Sequence, residues 1–233
     1  MVFDAGRIFV FFDFIISNPA KIIDALFSYF GHYGVQLFIF ISGYGLSKQF
    51  VDKGVVPFRR YILPRLRKIY LLMIFGLLVC FLFYWYEPAT YFLFSALSLS
   101  TIRNFSYQYL FYGIGPWWYF GLAIQLYLIF PLLYKIVDRY GKKGFFAAMF
   151  GAYVLIYVLF PFTEKLEIPL YGNFVGHMPE FLLGIGLARI KELEINRKVL
   201  AGALCVFILS NFSSYVFPFS FLSVTLLMVS GVY

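Results

Sequence analysis

The chain has 233 residues, of which 62% are hydrophobic, 24% aromatic and only 13% charged, and a soluble domain of this size could not bury so much apolar surface. Intrinsic disorder is excluded as well, because a disordered chain combines low hydrophobicity with high charge. The net charge of +8 comes from 19 Lys and Arg residues scattered among apolar runs, which argues against nucleic-acid binding and indicates a membrane protein.

Eight apolar runs follow one another along the chain, and each predicts a helix, because a lipid-exposed segment must satisfy its own backbone hydrogen bonds. The runs cover residues 5–16, 34–50, 69–86, 116–134, 144–162, 174–188, 199–217 and 219–233. We predict an all-α polytopic transmembrane helical bundle of roughly seven or eight spans, formed by residues 1–233 as a single domain, with no soluble domain. Because the first and last runs are short, either their helices are re-entrant or the chain is incomplete at both ends, and we favour the second interpretation.

The connections between the apolar runs alternate between few and many Lys and Arg residues. In chain order the six connections from residue 17 onward hold 1, 7, 1, 4, 1 and 4 of these residues. Positively charged residues stay on the cytoplasmic side of a membrane. The count therefore predicts that 48–68, 135–143 and 189–198 face the cytoplasm, and that the N-terminus, beside Arg7, does so too.

Two stretches between the runs are predicted to be helices on the outer side that do not span. Residues 89–102 are apolar, but counting them as a span would turn 135–143 outward, so we predict an interfacial or re-entrant helix. Residues 20–30 follow Pro19 and are typical of an amphipathic helix lying on a membrane. Its apolar face consists of Ile22, Ile23, Leu26, Phe27 and Phe30.

Polar side chains inside the apolar runs are the first functional candidates, because burying such groups in a bilayer is costly. Ser42 lies beside glycines that permit close helix contact, and Gln125 lies in the fourth run. Each is either a functional polar group or a residue that holds helices together. Cys80 and Cys205 lack the spacing of metal ligands, so we predict packing thiols and no metal site.

Three further residues are candidates for acid and base chemistry. His177 and Glu180 are three residues apart and share a helix face, so they are either an acid and base pair or structural or solvated groups near the outer helix end. His32 borders the membrane on the outer side. It is either a base or a headgroup-level histidine without a function.

The one dense group of cations precedes the third apolar run and consists of Arg59, Arg60, Arg65, Arg67 and Lys68. Guanidinium groups directly before a spanning helix lie at the membrane surface, where they can bind either anionic lipid headgroups or a phosphate-bearing ligand. Composition alone leaves both interpretations open.

Four segments, in this order, resemble the landmarks of the integral-membrane acyltransferase family three. They are GVQLFIFISGY (34–44), FRRYILPRLRKIY (58–70), WYFGLAIQLYLIFP (118–131) and MPEFLLGIGL (178–187). The resemblance covers about residues 8–190. It implies an enzyme of a bacterial inner or plasma membrane that moves an acyl group, usually acetyl, from cytoplasmic acyl-CoA to a hydroxyl of a surface polysaccharide or similar glycan.

The resemblance also implies roles for the candidate residues. The five cations would hold the phosphates of acyl-CoA, with the family's Arg-x-x-Arg element on Arg65 and Lys68, where the second position is Lys. The pantetheine arm would extend toward Ser42, Gln125 and Glu180. The family's histidine in the first transmembrane helix has no counterpart in the first run, which leaves the base unassigned.

Two other functions stay open beside the acyltransferase. A transporter or flippase of a lipid-linked sugar would use His177 and Glu180 as polar groups of its pathway, and it predicts inverted repeats, which the sequence does not show. A catalytically inactive, truncated member of the same family is the other alternative.

Overall fold

A computed structural model describes residues 7–31, 33–84, 87–191 and 195–230, and the regular elements within these residues are all helices. The α-helices are α1 (Arg7–Ser17), α2 (Ile22–Gly31), α3 (Gly34–Lys53), α4 (Phe58–Tyr84), α5 (Pro88–Ser100), α6 (Tyr107–Leu110), α7 (Trp118–Lys165), α8 (Phe174–Arg189), α9 (Arg197–Ser210) and α10 (Ser220–Ser230). Short 3₁₀ turns join several of them. The predicted all-α class is confirmed.

Three helical stretches in the described residues are long and apolar enough to cross a membrane. They are Pro19–Lys53, Phe58–Phe83 and Gly115–Lys165. Two shorter apolar helices, Ile8–Ser17 and Phe217–Ser230, lie near the chain ends. These helices make the chain a membrane protein, while the number of seven or eight spans stays a prediction.

Helix α7 has a sharp kink at Gly141. Its 48 residues would form a rod of about 72 Å, more than twice the thickness of a bilayer's hydrocarbon core. Gly141 has φ 56° and ψ −134°, which is not helical and which glycine adopts without steric cost. A Cβ added to Gly144 would overlap the carbonyl oxygen of Ile136, so the chain folds sharply there. The turn lies within 135–143, where the sequence predicts a connection.

The basic connection predicted at 48–68 is mostly helical rather than a loop. Helix α3 continues to Lys53 and α4 begins at Phe58, so that only residues 54–57 are not helical. The physical reason is that Arg and Lys are good helix formers, whose charge does not end a helix. Arg59 to Lys68 therefore form the first three turns of α4.

Helix α5 lies alongside the second half of α4. The hydroxyl of Tyr91 donates to the Leu77 carbonyl at 3.2 Å, and that of Tyr70 donates to the Leu99 carbonyl at 3.2 Å. Because the later residue of α5 pairs with the earlier residue of α4, the two helices are antiparallel. Thirteen residues extend about 20 Å, too short to cross a bilayer. Of the two predicted alternatives, this favours a re-entrant helix over an interfacial one.

Helix α2 has the predicted amphipathic arrangement. Ala25 and Tyr29 are its buried residues. The five predicted apolar residues, Ile22, Ile23, Leu26, Phe27 and Phe30, are all exposed large side chains. An apolar stripe that points away from the protein is suited to contact with lipid.

The chain divides into two compact units. The first comprises Met1–Asp52, Ile136–Tyr153 and His177–Tyr233, and the second comprises Lys53–Lys135 and Val154–Gly176.

In the first unit, α3 and α8 are in backbone contact. A Cβ added to Gly43 would overlap the carbonyl oxygen of Phe181, and one added to Gly184 would overlap the backbone of α3. The hydroxyl of Ser47 donates to the Ile185 carbonyl at 3.3 Å. Gly43 with Phe181 and Ser47 with Ile185 have the same separation in sequence, so the two helices run parallel. The glycines allow this approach, and it fixes the position of α8.

In the second unit, α4, α5 and the start of α7 enclose a shared core. Its buried residues are Ile69, Met73, Leu77, Cys80, Phe94, Trp117, Ala123 and Ile124. Cys80 is thus a packing thiol, as predicted, whereas Cys205 is exposed.

Arg103, the single cation of its connection, is buried beside this core. Its guanidinium donates to Ser98 Oγ at 2.9 Å, to the Tyr112 carbonyl at 2.7 Å and to the Leu110 carbonyl at 3.1 Å. Burial lowers its pKa to about 10, so the group stays protonated at neutral pH. Arg103 therefore fixes the irregular segment between α5 and α7.

Candidate functional site

A buried histidine and glutamate form a pair in the first half of α8. Residues three apart share a helix face, and His177 Nδ1 lies 2.7 Å from Glu180 Oε1. Both side chains are 0% exposed. The predicted contact is confirmed, and the alternative of two solvated groups near a helix end is wrong, because protein surrounds both.

The surroundings of this pair are aromatic. The His177 ring stacks on the Phe221 ring with centroids 5.3 Å apart. Phe221 also meets the rings of Tyr33, at 6.5 Å, and Phe217, at 5.6 Å. In such a medium of low dielectric constant, the hydrogen bond between the two side chains is electrostatically stronger than in water.

The other carboxylate oxygen of Glu180 has no hydrogen-bond partner among the described residues. The same is true of Gln36 Oε1 and Ser220 Oγ, two other buried polar atoms of the first unit. A buried polar atom without a partner costs about 1–3 kcal/mol, and more if it is charged. Each of these atoms can therefore accept or donate a further hydrogen bond, to a ligand or to a buried water molecule.

A second candidate site lies at the start of α4. Arg65 is half-buried, and its Nη1 donates to the Tyr61 carbonyl at 2.6 Å. Its guanidinium carbon lies 4.2 Å from the centroid of the Tyr61 ring, a cation–π contact. Tyr61 is fully buried, and its hydroxyl donates to the Tyr127 carbonyl at 3.2 Å. The guanidinium of Arg65 is thus held in one orientation on the inner side of α4.

The structure does not gather the five predicted cations into one cluster. Arg65 and Lys68, three residues apart, share one face of α4, whereas Arg60 and Arg67, seven apart, share another. Arg59, Arg60, Arg67 and Lys68 are exposed, while Arg65 is half-buried. Arg65 is accordingly the cation with a defined geometry.

The other predicted site residues have separate surroundings. The Ser42 hydroxyl donates to the Phe38 carbonyl at 2.8 Å, within α3 of the first unit. Gln125, in the second unit, accepts from the backbone nitrogen of Phe174 at 3.0 Å, and its Nε2 has no partner among the described residues. His32 lies outside the described residues. No group of three or more His, Cys, Asp or Glu in the described part of the chain could hold a metal ion.

The sequence did not single out the aromatic residues around Arg65. The Tyr61 ring stacks on the Phe130 ring at 5.5 Å, and Tyr127 accepts the Tyr61 hydroxyl. With 20 Tyr and 32 Phe in the chain, no single ring could be distinguished by type. The four-residue spacing of Tyr61 and Arg65 was the one available signal.

A family model described as an acyltransferase domain, the third of the acyltransferase families, matches residues 2–232. No curated protein and no solved structure matches the chain significantly.

Proposed function

Because the chain belongs to acyltransferase family three, we propose that it is a membrane enzyme that transfers an acyl group from acyl-CoA on the cytoplasmic side to a hydroxyl of a surface glycan. The family match over residues 2–232 is the observation that carries this proposal. We propose acetyl as the acyl group and an oxygen ester as the product.

The start of α4 supports the choice of donor. Coenzyme A carries a diphosphate and a further phosphate, and several cations are required to bind them. Arg65 presents a fixed guanidinium there, and Lys68 adds a flexible ammonium on the same helix face. The charge count predicts the cytoplasmic side for this end of α4, where acyl-CoA is available.

Binding of lipid headgroups explains the cations at the start of α4 less well than binding of acyl-CoA does. Exposed cations such as Arg59 and Arg60 suit anionic headgroups at the membrane surface. A guanidinium held at 2.6 Å against the helix backbone and over an aromatic ring is better suited to a ligand of fixed shape, because its orientation is set before binding.

Transfer from a radiolabelled donor tests the function. Membranes that contain the protein, incubated with [14C]acetyl-CoA, are expected to incorporate label into the glycan fraction well above membranes without it. Mild alkali should release the label, because oxygen esters hydrolyse under conditions that amides survive. Excess unlabelled coenzyme A should suppress incorporation. Label at the background level, or label stable to alkali, would overturn the proposal.

A further inference from the structure

We propose that Glu180 is the base that takes the proton of the acceptor hydroxyl, and that His177 is the residue that positions its carboxylate. This inference rests on the proposed acyl transfer and assigns the base of that reaction. An alcohol is nearly fully protonated at neutral pH, so its attack on a thioester needs a base in contact with the hydroxyl.

The geometry distinguishes the two oxygens of the Glu180 carboxylate. Oε1 is occupied by His177 Nδ1 at 2.7 Å, whereas Oε2 has no hydrogen-bond partner among the described residues. The side chain is fully buried. Oε2 is therefore a carboxylate oxygen in a dry setting whose hydrogen-bonding capacity is unused, as a base needs before its substrate arrives.

His177 fixes the direction in which Oε2 points. An ionised carboxylate can only accept hydrogen bonds, so in the reactive state Nδ1 is the donor to Oε1. Because the ring is also stacked on Phe221 at 5.3 Å, the imidazole keeps the carboxylate from rotating. Backbone contact between α8 and α3 at Gly184, one turn beyond Glu180, holds the helix itself in place. A positioned base of this kind avoids reorganisation when the reaction occurs.

The resulting step is balanced. Glu180 Oε2 takes the hydroxyl proton as the acceptor oxygen bonds to the thioester carbonyl carbon. The tetrahedral adduct then breaks its carbon–sulfur bond, and the coenzyme A sulfur leaves with the proton that Glu180 had taken. Acyl-CoA and R–OH thus become acyl–O–R and coenzyme A thiol, with no oxidant, reductant or other reactant.

Steady-state kinetics of purified variants test this assignment. Glu180→Gln is nearly isosteric but cannot accept a proton, so kcat should fall about a hundredfold to ten-thousandfold while KM for acyl-CoA stays within about twofold. His177→Gln should lower kcat about tenfold to a hundredfold, because a catalytic group displaced by about 1 Å can lose this much. Because the two residues act as a unit, the double variant should be no slower than Glu180→Gln alone.

The controls separate chemistry from folding. Ser47→Ala removes a buried hydrogen bond between α3 and α8 without altering the pair, and it should retain wild-type kcat. If Glu180→Gln fails to fold, Glu180→Asp keeps the charge but shortens the reach, and it should lower kcat at least about tenfold with KM unchanged.

The outcomes are distinct. Transfer by the wild type, with a wild-type kcat in Glu180→Gln or in a folded Glu180→Asp, overturns the assignment of the base and leaves the proposed function standing. If the fold-loss of kcat in the double variant equals the product of the fold-losses in the two single variants, the pairing of Glu180 with His177 is overturned. Absence of transfer by the wild type overturns the proposed function itself.

Discussion

Replacing Arg65 and Lys68 together by Met is expected to raise KM for acyl-CoA about a hundredfold, while kcat at saturating donor changes little. A hydrogen bond to a charged group contributes about 1.5–3 kcal/mol, and tenfold in affinity corresponds to about 1.4 kcal/mol. The exposure of Lys68 places its contribution at the low end of this range. Initial rates over a range of acyl-CoA concentrations measure the effect.

Single substitutions resolve the two contributions. Arg65→Lys keeps the charge but loses the planar fork, and we expect about a tenfold rise in KM. Lys68→Arg creates the family's second arginine and should lower KM. The matched control is Lys135→Met with Lys143→Met, which removes two exposed cations from another connection predicted to be cytoplasmic. If KM for acyl-CoA rises equally in this control and in the Arg65 and Lys68 variant, only the total positive charge on the cytoplasmic side matters for donor binding.

Gly184→Ala is expected to lower stability and acyl transfer together. Its Cβ would overlap the carbonyl oxygen of Phe40 and crowd the backbone nitrogen of Tyr44, and neither backbone atom can move away without displacing α3. Overpacking of this kind costs about 1–3 kcal/mol, occasionally more. Displacement of α8 would also move Glu180, one turn earlier. Thermal unfolding of the detergent-solubilised protein measures the first effect and labelled transfer the second.

Gly202→Ala is the matched control for that substitution. Gly202 lies in α9 of the same unit, and a Cβ there would meet no atom within 4 Å. An alanine in an open helical position stabilises by about 0.5–1 kcal/mol relative to glycine, so this variant should be as stable as the wild type or slightly more so. If Gly184→Ala unfolds at the same temperature as Gly202→Ala, the close contact between α3 and α8 is not present in the protein.

The sequence predicts those helices and contacts that depend on residues close together in the chain. A continuous apolar run predicted α8, and the spacing of three residues predicted that His177 reaches Glu180. The turn at Gly141 follows from a cluster of charges between two apolar runs. The start of α4 lies within the predicted connection 48–68, because a dense group of Arg and Lys does not end a helix and these residues are good helix formers.

What the sequence could not predict depends on residues far apart in the chain. Phe221 stacks on His177 from more than forty positions away, and no spacing rule connects the two. That Glu180 Oε2 has no hydrogen-bond partner among the described residues is visible only when the helices around it are in position. In the charge count Arg103 is the one cation of an outer connection, yet it is buried and donates hydrogen bonds to Ser98, Leu110 and Tyr112. Partners of this kind arise from tertiary packing.

The side of the membrane on which the donor is used is measurable with vesicles of opposite orientation. Acetyl-CoA does not cross a bilayer, so inside-out vesicles present it to the cytoplasmic face and right-side-out vesicles to the outer face. We predict that labelled acetyl-CoA is consumed and glycan is esterified in inside-out vesicles, and that intact right-side-out vesicles do neither until they are permeabilised. Transfer confined to intact right-side-out vesicles would place the start of α4 on the outer face and contradict a cytoplasmic donor site.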